Sequence, residues 1–161
     1  MRCAQFISEV ASANIMAHVL ETGFEISQRD NPNGNPTVIG YNIINGELRS
    51  SSDGATFESR NPAWKDDCLG VFPLSTKQDV HDALKSARDA FSEWSRTPAP
   101  SRGQIIGNMG RLLMEHKDDI VRVETREIGK TLKESAGEVQ EAIDTCLFFQ
   151  SEGRRLYGQT V

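Results

Sequence analysis

The sequence predicts a mainly helical fold in which four helices follow a few short strands. The first observation is that apolar residues after position 76 recur every three or four residues, which is the period of an α-helix. The second is a pair of helix-start signals, Thr76 with Asp79 and Thr131 with Glu134, each a threonine three positions before an acidic residue. The third is that the apolar segments before position 76 are short and separated by turn-forming residues. These patterns favour a helical body with a small ancillary sheet.

Length and composition describe a soluble globular protein of one domain. The chain has 161 residues, of which 37% are hydrophobic and 25% are charged, and its net charge is −5. Because lysine and arginine form no cluster, the sequence argues against a nucleic-acid-binding protein. No apolar run approaches the roughly 20 residues that a membrane-spanning helix needs, so no membrane association is predicted.

Cysteine usage and the first residues predict a cytoplasmic protein. Cys3, Cys68 and Cys146 are few, odd in number and widely spaced, which fits neither a disulfide framework nor a zinc site. A reducing compartment is therefore expected. Polar residues interrupt the first twenty positions, and Arg2 is the only arginine before Arg29, so neither a secretory signal nor a mitochondrial presequence is predicted.

Residues 1–40 carry little structural signal. A weak helical stripe consists of Phe6, Val10, Ala13, Ala17 and Leu20. Dense turn formers at residues 31–36 then predict a linker over residues 30–40. We expect residues 1–40 to form an N-terminal extension and linker, and the ordered body to begin at Tyr41.

Four short strands are predicted in the next segment. Residues 41–44 and 47–48 flank Asn45-Gly46, the pair best suited to a two-residue type I′ hairpin turn. Residues 56–59 form a third strand candidate, which an Asn-Pro pair ends, and residues 68–72 form a fourth. Strands this short predict a small sheet that accompanies the helices.

Three helices are predicted before residue 129. The first begins at Thr76 and is ended by Pro98 and Pro100, because proline cannot continue a helix interior. Its apolar residues share one face: Val80, Ala83, Leu84, Ala87, Phe91 and Trp94. The second begins near Ser101, and four of its apolar residues are expected to point inward: Ile105, Met109, Leu112 and Leu113. The third spans about residues 118–128, where an acidic start suits the positive end of the helix dipole.

The fourth helix organises the chain. Gly129 is a helix stop, and Thr131 with Glu134 forms a capping box that starts the next helix. One apolar stripe follows: Leu132, Ala136, Val139, Ile143 and Cys146. Residues 146–149 are four consecutive apolar residues, which point all the way round a helix. We therefore expect protein on more than one side of this helix.

The residues alone give no active site. The Gly129-Lys130-Thr131 run resembles the end of a phosphate loop, but Glu124 replaces the required glycine and the preceding segment is helical. Cys146 lies on the apolar stripe, where a cysteine is usually a small core residue. The histidines lack metal-ligand spacing: His18, His81 and His116. The carboxylates Glu134, Glu138 and Glu141 are interpreted as a solvated helix face rather than an acid–base pair.

An ordered set of landmarks nevertheless resembles the N-terminal part of NAD(P)-dependent aldehyde dehydrogenases. The landmarks run as follows: Ile44-Asn45-Gly46-Glu47, Phe57, Asn61-Pro62-Ala63, Asp79-Val80, Ala83, Ala87-Arg88, Ala90-Phe91, Trp94, Pro100, Arg102, Glu124, Glu127, Gly129-Lys130, Glu138-Val139, Ile143-Asp144 and Tyr157-Gly158. Their order and spacing are specific to this family. The resemblance covers about residues 41–161, and residues 1–40 remain unmatched.

The resemblance implies an α/β family fold with a Rossmann-type coenzyme domain, of which this chain supplies the mainly helical part. Residues 41–161 then form the N-terminal part of that domain, truncated at the start of the oligomerisation strand. Family members are oxidoreductases that oxidise aldehydes to carboxylic acids with NAD or NADP. Their catalytic cysteine, glutamate and asparagine and their coenzyme site lie further along the chain. The resemblance therefore implies no catalytic or coenzyme-binding residue here, no cofactor for the chain alone, and no activity without the remainder of the enzyme, which is expected to be a homo-oligomer.

One site of the family falls partly within this chain. Some members bind a monovalent cation through the backbone carbonyls of the two residues before the Asn-Pro pair and a carboxylate before the Gly-Lys pair. The matching positions are Ser59, Arg60 and Glu127. Oxygen ligands of this kind suit a hard cation. The alternative reading of the whole chain is a non-enzymatic helical module that binds another protein.

Overall fold

The computed structural model describes residues 25–27 and 37–155, and it is mainly helical. The strands are β1 (Glu25–Ser27), β2 (Thr37–Ile39), β3 (Asn42–Ile44), β4 (Glu47–Arg49), β5 (Thr56–Arg60) and β6 (Cys68–Pro73). The helices are α1 (Lys77–Trp94), α2 (Ala99–Glu115), α3 (Lys117–Ile128) and α4 (Leu132–Glu152). None of these four helices combines the length and the hydropathy of a bilayer-spanning segment. The helical stripe predicted over residues 6–20 lies outside the described residues.

Four of the strands form one sheet in the order β1-β2-β6-β5. β2 runs parallel to β6, with Val38 opposite Gly70, and the other two pairings are antiparallel. The linker predicted over residues 30–40 is therefore wrong at its C-terminal end, where Thr37–Ile39 is a strand. The turn formers upstream hid this strand, because its partner lies some thirty residues away along the chain.

The predicted hairpin is confirmed. β3 and β4 pair antiparallel, and Ile44 lies opposite Glu47. The φ angles are 55° at Asn45 and 73° at Gly46, so both turn residues adopt the left-handed conformation that a type I′ turn requires. The predicted strands over residues 56–59 and 68–72 are confirmed as β5 and β6.

α1 begins at the predicted capping box. The Thr76 side chain accepts a hydrogen bond from the Asp79 backbone N–H, and the Asp79 carboxylate accepts one from the Thr76 backbone N–H at 2.7 Å. The same carboxylate accepts a hydrogen bond from the Ser52 backbone N–H at 3.1 Å, which ties the loop before β5 to the helix start. The apolar face of α1 is exposed: 55% of Val80, 55% of Leu84 and 66% of Phe91 remain accessible. Trp94, at the end of the same face, is half-buried beside Arg102.

α2 begins earlier than its sequence predicts. Pro98 occupies the N-cap position and Pro100 lies in the first turn, so Pro100 belongs to the start of α2 rather than to the end of α1. A proline is tolerated there because the first N–H groups of a helix have no intrahelical acceptor. α1 instead ends at Trp94, with Ser95 as its C-cap.

α2 packs on α4 through glycines. Gly103, Gly107 and Gly110 are buried, and a Cβ atom added to Gly103 would lie 2.6 Å from the Gln150 carbonyl oxygen. The two backbones therefore approach closely. The inward face predicted for α2 is correct at Leu112, which is 8% exposed, but wrong at Met109, which is 37% exposed. The remaining two predicted residues, Ile105 and Leu113, are half-buried.

The core lies between α3 and α4. Ile143 is fully buried, Val139 is 4% exposed and Cys146 is 6% exposed, which confirms most of the predicted stripe. Val121 of α3 packs against Val139 and Ile143. Leu132 is an exception, because 57% of it is exposed at the helix start. Beyond the stripe, Leu147, Phe148 and Phe149 are exposed by 37%, 58% and 53%, as expected for a helix with apolar residues on all sides.

Candidate functional site

The loop between β5 and β6 closes on itself through its backbone. The Asn61 N–H donates to the Asp67 carbonyl at 3.0 Å, and the Asp67 N–H donates to the Trp64 carbonyl at 2.9 Å. The Asn61 side-chain oxygen accepts from the Ala63 N–H at 3.0 Å. An asparagine that bonds the backbone two residues on stabilises a turn. The Asn-Pro pair predicted to end β5 therefore starts a compact, internally bonded loop.

An ion pair joins this loop to α3. Asp67 is 1% exposed, and its two carboxylate oxygens accept hydrogen bonds from Arg126 Nε at 3.1 Å and Arg126 Nη2 at 2.9 Å. Asn61 Nδ2 donates to the same carboxylate at 3.2 Å, and Arg126 Nη2 also lies 3.4 Å from the Cys68 carbonyl oxygen. Planar bidentate geometry of this kind is specific to arginine. Sequence reasoning missed this pair, because 59 positions separate its members and neither carries a local signal.

Gly129 brings the loop against the C-terminus of α3. It is the predicted helix stop, with φ 76° and a backbone N–H that donates to the Thr125 carbonyl. A Cβ atom at Gly129 would lie 2.8 Å from Pro62 Cγ and 3.2 Å from the Ala63 nitrogen. Both the left-handed backbone and the close approach require glycine here. The Gly129-Lys130-Thr131 run is thus a helix cap that packs against the β5–β6 loop. The sequence favours this role over a phosphate loop.

The three residues predicted to bind a cation lie on the elements that this contact joins. Ser59 and Arg60 end β5, and the ladder with β6 is irregular between them, with Ser59 opposite Gly70 and Arg60 opposite Cys68. Such irregularities leave backbone groups outside the regular ladder. Glu127 lies exposed in the last turn of α3, and α3 contacts β5 and β6.

The donor set fits a monovalent cation better than a divalent one. Backbone carbonyls with a single carboxylate carry little negative charge, and among residues 25–27 and 37–155 no three His, Cys, Asp or Glu side chains gather as a metal site. The Arg60 guanidinium pairs with Glu58 at 2.6 Å and donates to the Lys65 carbonyl at 3.1 Å. Its positive charge is therefore balanced by a neighbouring carboxylate.

A second charged cluster lies beside Gly129. Lys130 forms ion pairs with Glu124 of α3, at 3.6 Å, and with Glu138 of α4. Burial raises the pKa of Glu124, and a hydrogen bond with the Glu138 carboxyl raises it further. The hydrogen bond from Lys130 lowers the pKa of Glu138, and the same bond raises the pKa of Lys130. The cluster links α3 to α4, so Glu138 is a bridging residue rather than part of a fully solvated face.

The cysteine, the histidines and the remaining glutamates that the sequence offered as candidates do not form a site among the described residues. Cys146 is buried in the α2–α4 contact, consistent with the core role that its stripe position predicts. His81 is exposed on α1 and His116 lies between α2 and α3. His18 lies outside the described residues. Of the predicted carboxylate run, Glu134 forms the capping box with Thr131, and Glu141 is exposed on α4.

An apolar groove of about 450 Å³ opens between the end of α1, α2 and the last turns of α4. Its lining includes Trp94, Ile106, Met109 and Phe149, and the Arg102 guanidinium stacks 6.0 Å from the centre of a Trp94 ring. The groove is lined mostly by apolar side chains.

The amino-acid sequence matches a known protein family. Residues 48–161 match the model of the aldehyde dehydrogenase family. The chain is 39% identical over 117 residues to an α-ketoglutarate semialdehyde dehydrogenase of Haloferax volcanii, and 36% identical over 119 residues to the NADP-dependent succinate-semialdehyde dehydrogenase of Escherichia coli K12. A malonate-semialdehyde dehydrogenase of Bacillus cytotoxicus is 36% identical over 120 residues. These matches cover 73–74% of this chain and 24% of each relative.

Solved structures agree. An E. coli NADP-dependent enzyme superposes with a TM-score of 0.70 at 36% identity, over 75% of this chain and 25% of that chain. An NAD-dependent aldehyde dehydrogenase of Sinorhizobium meliloti superposes with a TM-score of 0.75 over 86% of this chain and 28% of its own, and at 21% identity it supports the fold alone. Betaine aldehyde dehydrogenase of Staphylococcus aureus, in complex with NAD+, gives 0.70 at 27% identity, over 75% of this chain and 24% of that chain. The chain therefore spans about a quarter of the length of the proteins it resembles.

Proposed function

Because the chain belongs to the aldehyde dehydrogenase family, we propose that it supplies the N-terminal part of an enzyme that oxidises an aldehyde to a carboxylic acid with NAD+ or NADP+. The observation that carries the proposal is the agreement of sequence and fold with one enzyme: 36% identity and a TM-score of 0.70 to the E. coli NADP-dependent enzyme.

The exposed apolar surfaces support a larger protein around this chain. Large apolar side chains are exposed on α1 and at the end of α4: Val80, Leu84, Phe91, Phe148 and Phe149. Groups of exposed apolar side chains mark interaction sites. In the proposed enzyme the remainder of the chain covers them. The catalytic cysteine, the glutamate and the coenzyme site then belong to that remainder, and the described helices pack against the coenzyme domain.

The names of the three relatives narrow the proposed substrate class. Each acts on a semialdehyde, which is an aldehyde that also carries a carboxylate group. We propose that the whole enzyme oxidises an aldehyde of this anionic class. Betaine aldehyde, the substrate named for the S. aureus enzyme, is a cation and serves as the contrasting substrate. Either coenzyme is compatible with the relatives, which include NAD-dependent and NADP-dependent enzymes.

We also propose that Ser59, Arg60 and Glu127 contribute to a monovalent-cation site. Support comes from the contact between the β5–β6 loop and the end of α3, because Ser59 and Arg60 end the strand before that loop and Glu127 lies in the last turn of that helix. A cation there would join the sheet to the helices without taking part in the chemistry. Further oxygen ligands would come from the remainder of the enzyme.

The test begins with the coding sequence on the 3′ side of the Val161 codon. If the frame continues, the longer protein is purified and NAD(P)H formation is followed with succinate semialdehyde, malonate semialdehyde, betaine aldehyde and a neutral aldehyde. We expect turnover with the anionic aldehydes above the others. Absence of turnover with every aldehyde and both coenzymes would refute the enzymatic proposal, and a preference for betaine aldehyde would refute the substrate class.

The second candidate function is a non-enzymatic helical module that binds another protein through the same apolar surfaces. The exposed face of α1 is the observation that favours it. A stop codon after Val161, together with a stable monomeric chain, would support this module. Homo-oligomer formation by the longer enzyme and its cytoplasmic location stay predictions, checked by light scattering and by cell fractionation.

A further inference from the structure

We propose that the Asp67–Arg126 ion pair positions the candidate cation site, so that its geometry determines how tightly Na+ or K+ is bound. The inference rests on the cation site proposed above and assigns the pair a role that the cation ligands themselves do not have. Neither residue is a ligand; each acts through its neighbours in the chain.

The two members of the pair are attached to the two halves of the site. Arg126 is directly followed by Glu127, and consecutive Cα atoms lie 3.8 Å apart, so a shift of Arg126 moves Glu127 with it. Asp67 is bonded to Asn61, which directly follows Arg60, through both backbone and side chain at 3.0 Å and 3.2 Å. The pair therefore connects the carbonyl half of the site to the carboxylate half.

The connection is rigid. Asp67 is 1% exposed and receives two arginine N–H groups and one amide N–H group, which leaves its carboxylate little freedom. The Arg126 side chain is 16% exposed. Burying an ion pair contributes little net stability compared with a well-packed apolar pair, so a role in fixing geometry accounts better for its presence. Partners that orient the ligands of a metal ion typically change affinity by 10–100-fold when they are replaced.

The charges around the site agree with this role. Arg126 is neutralised by Asp67, and Arg60 by Glu58, so the Glu127 carboxylate can attract a cation without opposition from an unpaired arginine. Replacing Asp67 with a neutral residue would release the Arg126 charge next to Glu127. The pair thus serves the site in two ways, by geometry and by charge balance.

The test compares Arg126→Lys with wild type and with Arg122→Lys. Lysine keeps the charge but cannot form the bidentate contact. Arg122 lies one turn earlier on α3, where its pair with Asp119 is exposed, and it serves as the matched control. Asn61→Ala removes one hydrogen bond to Asp67 and the turn bond from the Ala63 N–H but leaves the ion pair, and it is a second variant in case Arg126→Lys does not fold.

Binding is measured on the longer enzyme, which supplies the remaining oxygen ligands, by titration with NaCl and KCl against tetramethylammonium chloride at constant ionic strength. Trp64 lies in the β5–β6 loop and is 55% exposed, so the difference in fluorescence between the enzyme and its Trp64→Phe variant reports the loop. The midpoint of thermal unfolding at each salt concentration is the second readout. Glu127→Gln identifies the part of the response that belongs to this site.

We expect the half-saturating cation concentration to rise about tenfold or more in Arg126→Lys, less in Asn61→Ala, and not in Arg122→Lys. A merely structural pair would lower the unfolding midpoint in tetramethylammonium chloride but leave the half-saturating concentration unchanged, and that result would overturn the inference. A wild-type protein with no cation-specific response would overturn the site and the inference together, while aldehyde oxidation by the longer enzyme would be judged separately by its own assay.

Discussion

Gly110 of α2 faces Cys146 of α4 so closely that a Cβ atom on Gly110 would lie 2.8 Å from the Cys146 Cβ atom. This contact lies at one end of the glycine-lined surface on which the two helices pack, and Gly103 lies at the other end. It explains why α2 packs tightly on α4 although few of its apolar side chains are buried. The buried face of α2 consists largely of backbone.

Gly110→Ala should therefore destabilise the protein by about 1–3 kcal/mol, because the added methyl group has to push the helices apart. Gly137→Ala is the matched control, since a Cβ atom on this exposed α4 glycine has no neighbour within 4 Å. That control should stabilise the helix by about 0.5–1 kcal/mol. Denaturant titration of both variants checks the contrast, and equal effects would mean that α2 and α4 do not pack closely in solution.

Two substitutions distinguish the stability that the N-terminal cap of α4 contributes from the stability that its buried residues contribute. Thr131→Ala removes the capping box and should cost about 1 kcal/mol. Ile143→Ala leaves a cavity at a fully buried position and should cost roughly 2–5 kcal/mol. The free energies of unfolding are obtained from denaturant titrations, and the reverse ranking would contradict the assignment of Ile143 to the core.

The Glu124–Lys130–Glu138 cluster predicts opposite pH dependences for two glutamine variants. The pKa of Glu124 is raised in the fold, so its contribution to stability is present at low pH and is lost as pH rises through the folded pKa. Glu124→Gln should therefore gain thermal stability relative to wild type as pH increases from 4 to 8. Because the pKa of Glu138 is lowered, its stabilising contribution is present above the unfolded pKa, and Glu138→Gln should lose stability relative to wild type over the same range. Parallel pH profiles for the two variants would rule out the cluster.

The exposed end of α4 predicts self-association of the 161-residue chain. Phe148 and Phe149 form an edge-to-face pair with ring centroids 5.4 Å apart, and more than half of each side chain is accessible. We expect binding of a hydrophobic dye and association that increases with concentration, both reduced in a Phe148→Ser, Phe149→Ser variant. A dye-free monomer at micromolar concentration would argue instead for the stand-alone module.

The chain alone should not oxidise aldehydes. In the proposed enzyme, the nucleophile, the base and the coenzyme site lie outside these 161 residues. The purified chain is assayed for NAD(P)H formation with the same aldehydes as the longer enzyme, which serves as the positive control. Steady turnover by the chain would contradict the division of roles proposed here.

Local sequence determined much of this protein. The Asn45-Gly46 turn, the capping boxes at Thr76 and Thr131 and the stop at Gly129 were all predictable, because their conformations depend on residues a few positions apart. The Val139–Ile143–Cys146 stripe followed from helical spacing. The order of these landmarks also identified the family, which the comparisons confirm over residues 48–161.

Other features depend on the tertiary structure, because the spacing of residues along the chain does not predict them. The parallel pairing of β2 with β6 and the Asp67–Arg126 pair join distant segments, and no local pattern identifies either partner. Gly103, Gly107 and Gly110 were missed as a packing face, because hydrophobic periodicity counts side chains whereas this contact depends on their absence. α1 has the spacing of a buried face, yet Val80, Leu84 and Phe91 are exposed. Sequence sets which side of a helix is apolar, but burial depends on which neighbours fold against it.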